Sequence, residues 1–494
     1  MGRAAPLHVA IDLGAGSGRA LVGGAGTGGL HLSEVHRFHY PPRVVDGHLR
    51  WDAAALTRGI LGGLACARDA AASRDAPLAS VGVDSWGVDY ALVDAAGTLL
   101  EDPICYRDGR TERAMDEVFA IVPREEVFAR TGIQFHRFNT LFQLWAHARS
   151  GLPRRAARLL LIPDYCHQVL CGSIVGERTD ASTTQLLGAS SGTWDDELFS
   201  RLGLPRGLMP ELVGAGTTLG TLRAAIARGL GIGTIEVVAP GTHDTASAVA
   251  GTPLARHGAY ISSGTWSLLG VEVDAPILTE AACRANVTNE AAVFGGVRLL
   301  TNVMGLWLLE SCRRAWEAEG RPQDLSALLA AVARRREPAG VIFPDDQRLF
   351  APTNMVQAIR TMLGETGQAD TDDPVAIARI VLDSLALRYV NVIGTLERLA
   401  GHAISTIHIV GGGSMNRYLN QATADASGRE VLAGPVEATA IGNLLVQGIA
   451  AGTIASLAEG RRMVRAAFPP ERFSPTDARQ WDTLARVYRH IAPY

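Results

Sequence analysis

Asp12 stands at the end of the apolar run Val9-Ala10-Ile11 and before the stretch Leu13-Gly14-Ala15-Gly16-Ser17-Gly18-Arg19, after which Ala20-Leu21-Val22 is apolar again. Glycines at 14, 16 and 18 let successive backbone N–H groups turn toward one point, a concavity that suits phosphate oxygens. Ser17 adds a hydroxyl donor and Arg19 a cation. Asp12 is placed to hold a hydrated Mg²⁺, an ion usually carried by one or two carboxylates together with phosphates. The second apolar run is too short for a helix, so the unit reads as a hairpin. That separates it from the dinucleotide fingerprint, whose glycines open a helix. A plain glycine-rich hairpin at a sheet edge would present the same residues.

Three further stretches carry comparable chemistry. Ser80-Val81-Gly82-Val83-Asp84 reads as a strand, Ser85-Trp86-Gly87 as a turn and Val88 to Val93 as a returning strand, so Asp84 and Trp86 face either a ligand or the core. Thr242-His243-Asp244-Thr245 leads from a strand, Ile235 to Val238, into the helix start Ala246-Ser247-Ala248-Val249-Ala250. A carboxylate there is held ionised by the helix dipole and the free N–H groups, so Asp244 can accept a proton rather than donate one. A capping Asp with no chemical duty has the same signature. From Gly258 the opening unit recurs, with Ala259-Tyr260-Ile261, the turn Ser262-Ser263-Gly264-Thr265, then Trp266 to Val271. Last, Ile407 to Val410 is a strand, Gly411-Gly412-Gly413 lets backbone approach a flat ligand such as adenosine, and Ser414 to Ser427 is an amphipathic helix.

The elements that position these turns alternate between strand and helix, the pattern of an α/β protein. Trp51 to Ala72 is an Ala/Leu-rich helix after the turn signal Asp46-Gly47. Arg107 to Ser150 is charged and helical, broken by Thr131 to Asn139, whose aromatics and hydrogen-bonding side chains suit a sugar-lining loop. Gly151 to Gly233 reads as Pro/Gly-punctuated helices, and the stretch after Ala451 as helices ending in the amphipathic Asp477 to Ile491. With 494 residues the chain accommodates two large domains. A net charge of −4, with no basic run, argues against nucleic acid and anionic membrane. No apolar segment reaches the ~18 residues of a membrane span, and Met1 to Ala10 lacks a signal-peptide core, so a cytoplasmic protein is expected. Cys66, Cys105, Cys166, Cys171, Cys283 and Cys312 lack paired-ligand spacing and read as free thiols.

Taken in order, IDLGAGSGR at 11 to 19, DSWGVDY at 84 to 90, GTHDTASA at 241 to 248, SSGTWSLLG at 262 to 270 and IVGGGSMN at 409 to 416 resemble the FGGY carbohydrate kinases of the actin-like ATPase superfamily. TGIQFHRFNTLFQL from Thr131, TNVMGLWLLE from Thr301 and AGPVEATAIGN from Ala433 resemble the members that act on L-rhamnulose. The resemblance implies two ribonuclease-H-like domains, 1–252 and 253–494, with ATP and sugar in a cleft between them. The implied reaction is ATP + L-rhamnulose giving L-rhamnulose 1-phosphate + ADP. It implies ATP contacts at Ala15, Gly16, Ser17, Gly18 and Arg19 and at Thr265, Glu310 and Gly412. Sugar contacts fall on Gly87, His243, Asp244, Thr245 and Asn302, with Asp244 as proton acceptor, and Asn302 sits at an expected helix start. Two positions depart from the family. Glu310 replaces a glutamine, and its charge beside ATP weakens binding unless it is paired or protonated; Met415 also replaces a glutamine. Other readings are a kinase of fuculose, xylulose, ribulose or a polyol, and an actin-like ATPase switch without a small substrate. The expected partners are ATP, Mg²⁺ and a sugar, with the chain acting as a monomer or homodimer.

Overall fold

Leu7 to Leu13 form a strand in which every residue is buried, because it runs through the interior of a sheet with a helix on each face. The computed structural model describes residues 5–26, 29–350, 352–477 and 479–492. The chain divides into two compact units. The first comprises Met1–Pro253, Glu272–Leu299 and Ala438–Phe468; the second comprises Leu254–Val271, Leu300–Glu437 and Pro469–Tyr494. The second half of the sequence thus sends two segments into the first unit.

In the first unit, β1 (Leu7–Gly14), β2 (Ser17–Gly26), β3 (Gly29–His39), β4 (Leu78–Ser85), β5 (Thr218–Thr221) and β6 (Glu236–Val238) form a sheet ordered β5-β6-β4-β1-β2-β3. β1, β2 and β3 are antiparallel neighbours, β4 is parallel to β1, and β6 is parallel to β4. The register sets Asp12 opposite Arg19 on β2 and Asp84 on β4. Side chains alternate across a strand. Val9, Ile11 and Leu13 therefore share a core with Leu56, Ile60 and Leu64 of the helix Ala53–Ala72, whose N-cap Asp52 accepts from the Ala55 N–H at 2.8 Å. Ala10 and Leu21 meet Ala440 and Leu444 of the helix Ala438–Ala450 on the other face.

The second unit repeats this arrangement. β7 (Ala259–Ser263), β8 (Trp266–Val273), β9 (Val297–Met304), β10 (Thr406–Val410), β11 (Glu430–Ala433) and β12 (Glu471–Phe473) follow one another in space as β9-β8-β7-β10-β11-β12. β7 and β8 are an antiparallel pair, β10 runs parallel to β7 and β11 to β10, and β12 closes antiparallel to β11. An antiparallel hairpin followed by two parallel strands, twice over, is the ribonuclease-H-like architecture of actin-like ATPases.

Several local expectations need correction. Val88 to Val93 is no return strand: Val88 has φ 71, and the strand Tyr90–Val93 pairs with Arg158–Leu161, apart from β4. The chain leaves the sheet because buried Asp89 collects the indole N–H groups of Trp51 and Trp86, the Gln143 amide and the Tyr106 backbone N–H. Trp86 is accordingly a core residue, packed on Trp51 at 4.7 Å. Asn302 lies within β9, and the following helix, Trp307–Ala318, begins only after the Gly305-Leu306 turn. The block from Gly151 to Gly233 contains the strand Arg158–Leu161 and the sheet strand β5 besides its helices.

Candidate active site

In the first unit the β1–β2 turn is tight. The Gly16 N–H donates to the Gly14 carbonyl at 2.8 Å, and Gly16 has φ 123, a conformation that suits glycine. Tyr40 braces the turn from below, its hydroxyl meeting the carbonyls of Gly14 and Ser17 at 2.6 and 3.0 Å. Ala15 at the tip is exposed. Gly18 is also required by packing, since a Cβ there would stand 2.5 Å from the Phe38 ring. Arg19 is ion-paired with Asp12.

Asp244 is the first residue of the helix Asp244–Ala250, with His243 at its N-cap. The preceding loop is pinned by Glu177, whose Oε2 accepts from the Thr242 N–H at 3.0 Å and from the Thr242 hydroxyl at 2.8 Å. The Ser85 N–H at the end of β4 donates to the Thr242 carbonyl at 2.9 Å, which ties the helix start to the sheet. The Thr245 hydroxyl donates to Asp244 Oδ1 at 2.9 Å, and His243 Nε2 stands 3.5 Å from the same oxygen. Burial raises the Asp244 pKa; His243 opposes the rise and the Asp12 charge adds to it. A seven-residue helix has a weak dipole, and desolvation outweighs it. The shift makes Asp244 a stronger base while its side chain stays 31% accessible.

Gly87 lies beside Asp180 and Thr183: a Cβ there would stand 2.9 Å from Thr183 Oγ1 and 3.1 Å from Asp180 Oδ1. Asp84 is fully buried, and its Oδ2 accepts from the Asn443 amide at 2.6 Å. Burial, then the charge of Asp12, pushes the Asp84 pKa well above the usual carboxylate range. Asp84 and Asp244 feel the charge of Asp12, whose cationic partner is Arg19, and Asp84 Oδ1 is a buried oxygen without a hydrogen bond; among the described residues no group of three or more His, Cys, Asp or Glu is arranged to hold a metal ion.

In the second unit Thr265 lies in the β7–β8 turn and Gly412 in the turn after β10. The β7–β8 turn is held from behind: the N–H groups of Leu306 and Gly305 donate to the carbonyls of Gly264 and Thr265 at 3.0 and 3.1 Å. Thr265 itself is exposed. Of the three consecutive glycines, Gly411 and Gly413 are demanded by Ser263, which would stand 2.9 Å (carbonyl oxygen) and 2.0 Å (Oγ) from their added Cβ atoms. Gly412 alone faces open space. Glu310, on the helix Trp307–Ala318, accepts from Arg313 Nη1 at 2.6 Å and lies 3.5 Å from Arg314 Nε, so its charge is paired. Met415 is exposed.

Sequence reasoning missed Glu177, Asp180, Glu290, Arg298 and Asn443. Glu177, Asp180, Glu290 and Arg298 sit in stretches with no motif, and Asn443, though it ends the stretch AGPVEATAIGN, lies 359 positions from the Asp84 it serves.

The model for the N-terminal domain of the FGGY family of carbohydrate kinases matches residues 7–251, and that for the C-terminal domain matches 259–451. The chain is 46% identical to a rhamnulokinase of Pectobacterium carotovorum, over 94% of this chain and 92% of that protein. It is 42% identical to a rhamnulokinase of Bacteroides thetaiotaomicron, over 96% of both. A gluconate kinase from Lactobacillus acidophilus superposes with a TM-score of 0.80 at 14% identity, covering 98% of this chain and 96% of that one. A glycerol kinase of Plasmodium falciparum with ADP gives 0.78 at 14% identity over 98% of each. With both halves of the sequence matched by its models and relatives this similar along nearly the whole length, the chain belongs to the FGGY family of carbohydrate kinases.

Proposed function

We propose that this kinase acts on L-rhamnulose, transferring the γ-phosphoryl group of ATP to the sugar's 1-hydroxyl. The observation that carries the reading is the near full-length identity to rhamnulokinases, at 46% and 42%. Residues 1–252 supply the sugar contacts Gly87, His243, Asp244 and Thr245 and the phosphate turn Ala15 to Arg19. Residues 253–494 supply Thr265, Glu310 and Gly412 to the nucleotide and Asn302 to the sugar. Asp244 orients the hydroxyl and takes its proton as the new O–P bond forms and ADP leaves. Backbone N–H groups and Arg19 offset the phosphate charge, and both reactants are held in line. Asp12 would hold Mg²⁺, which when bound neutralises part of the triphosphate charge. The protein is read as cytoplasmic, a monomer or homodimer.

A coupled ADP-release assay over ketoses and polyols tests this. The expected result is kcat/KM for L-rhamnulose at least about tenfold above that for fuculose, xylulose or ribulose, the scale on which a few hydroxyl partners discriminate. A higher value for another ketose would reassign the substrate. ATP consumption indifferent to sugar would replace the kinase by a switch-type ATPase.

A further inference from the structure

Beside the proposed base lies a buried charged pair with no part in the chemistry so far. Glu290 and Arg298 are 4% and 0% exposed, and both come from the segment Glu272–Leu299 that the later half of the chain lends to the first unit. Arg298 Nη2 lies 3.1 Å from Glu290 Oε2 and 3.2 Å from His243 Nδ1, while Glu290 Oε2 lies 3.3 Å from the same ring nitrogen. The guanidinium is held in place by its Nε, which donates to the Ala291 carbonyl at 3.0 Å, and the Thr288 hydroxyl donates to Glu290 Oε1 at 3.3 Å. Burial pushes the Glu290 carboxyl up, but Arg298 and then His243 outweigh it and leave the group below its ordinary value, so it stays ionised.

Burying two charges is costly, and replacing such a pair with apolar residues is often neutral or stabilising. Arg298 Nη1 moreover has no hydrogen-bond partner in its buried position. Stability alone is therefore a poor reason for this arrangement. Its geometry supplies another. A guanidinium can only donate, so its contact with His243 Nδ1 at 3.2 Å calls for a bare Nδ1, whereas the Glu290 carboxylate at 3.3 Å would accept from Nδ1–H; the arrangement that satisfies Arg298 puts the proton of the neutral ring on Nε2. Nε2 is the nitrogen on the Asp244 side, 3.5 Å from Oδ1. Thr245 donates to that same Oδ1. The Thr245 hydrogen bond and the facing Nε2 both lie on the Oδ1 side, which leaves Oδ2 for the incoming hydroxyl.

We infer that Arg298 and Glu290 are positioning residues that hold His243 as its Nε2–H tautomer and, through it, present Asp244 with Oδ2 toward the sugar hydroxyl. This deepens the kinase reading and rests on Asp244 as its base. Glu290 fixes the guanidinium, Arg298 fixes the ring, and the ring fixes the carboxylate. Neither Glu290 nor Arg298 needs to touch the sugar for this.

The first measurement needs no variant and no turnover. Long-range ¹H–¹⁵N correlation spectra of the histidine-labelled protein, with His243 assigned from His243→Gln, should show a proton-bearing Nε2 and a bare Nδ1 at neutral pH. A Nδ1–H tautomer or a doubly protonated ring would overturn the inference, whatever sugar the enzyme prefers. The second measurement is kinetic. Arg298→Met should shift the ring toward Nδ1–H, with Glu290 as acceptor, and lower kcat roughly tenfold to hundredfold, as a slightly misdirected catalytic group does. The KM for ATP should stay unchanged, and Arg298→Lys, which restores a donor, should recover part of kcat. Should Arg298→Met not fold, Glu290→Gln takes its place, with a smaller drop in kcat and a mixed tautomer expected. Normal kcat with only a lowered Tm would reduce the pair to a structural role. Absence of turnover with every sugar would instead count against the kinase reading and leave the tautomer result intact.

Discussion

Asp244 sits at the junction of three influences: a short helix that favours its charge, burial that opposes it, and a Thr245 hydrogen bond on Oδ1 with His243 beside it. Replacing it by Asn retains the shape and one acceptor but removes the base. Asp244→Asn should bind sugar as the parent does in calorimetry while kcat falls roughly 10²- to 10⁴-fold, the usual worth of general base catalysis. Near-normal kcat would remove the residue from that role. Glu310 makes the opposite case. Its charge is paired by Arg313 and half exposed, so Glu310→Gln should alter the KM for ATP by less than about threefold, the scale of an exposed ion pair. A larger gain in affinity would mean that the carboxylate does repel ATP. At this scale the sequence was legible where chemistry is local. The glycine turn, the helix-start acid and the third glycine motif are each contiguous. Glu177 pins Thr242 from 65 positions away, and Glu290 reaches His243 across 47, distances at which one sequence carries no trace of contact.

The elements that hold these residues show why glycines mislead as well as guide. Gly14 and Gly16 leave room around the turn, whereas Gly18 is also packed on the Phe38 ring; Gly412 faces outward, whereas Gly411 and Gly413 are packed on Ser263. Sequence presents each set as one motif. Gly412→Ala should therefore keep the parent Tm and weaken ATP binding in a titration, whereas Gly413→Ala should lower Tm by pushing on Ser263. Equal effects of the two on Tm would show that the turn acts as one unit. The strand Tyr90–Val93 was misplaced because alternation identifies a strand without naming its partner, and the partner was chosen here by the buried Asp89 network. Helix Ala53–Ala72 was legible almost to the residue, since Asp52 and the apolar spacing act within a few positions.

At the scale of the whole molecule, the repeated hairpin-plus-parallel-strand plan was foreshadowed by the recurrence of strand, turn and strand at Ile11 and Tyr260. What was hidden was the interleaving of segments, because composition does not change at residues 272, 300 or 438. The first unit also carries buried histidines that couple its stability to acid. Burial pushes His8 down to about 4 and His167 to about 3, against an ordinary 6.5. His167 Nε2 accepts from the Val83 N–H at 3.1 Å and so requires the neutral ring. The unfolded chain binds protons first; this share of stability is whole above about pH 6.5 and is lost as pH falls through 5 toward the folded values. His167→Gln, which keeps an acceptor, should lose roughly 2 kcal/mol less than the parent between pH 7 and pH 5. Denaturant titrations at both pH values check this, and parallel losses would refute it.

The helix Ala438–Ala450 has one consequence for how the protein is made. It covers Ala10 and Leu21, its Gln447 amide donates to the Val9 carbonyl at 2.9 Å, and Gly442 lies so close to Ser247 that an added Cβ would meet that carbonyl oxygen at 1.8 Å. A ribosome must therefore translate more than four hundred codons before the earliest strand to emerge acquires its cover. Until then the nascent chain displays an apolar sheet face that only its own distant tail can shield, so premature stop codons should yield aggregates and not a smaller working protein.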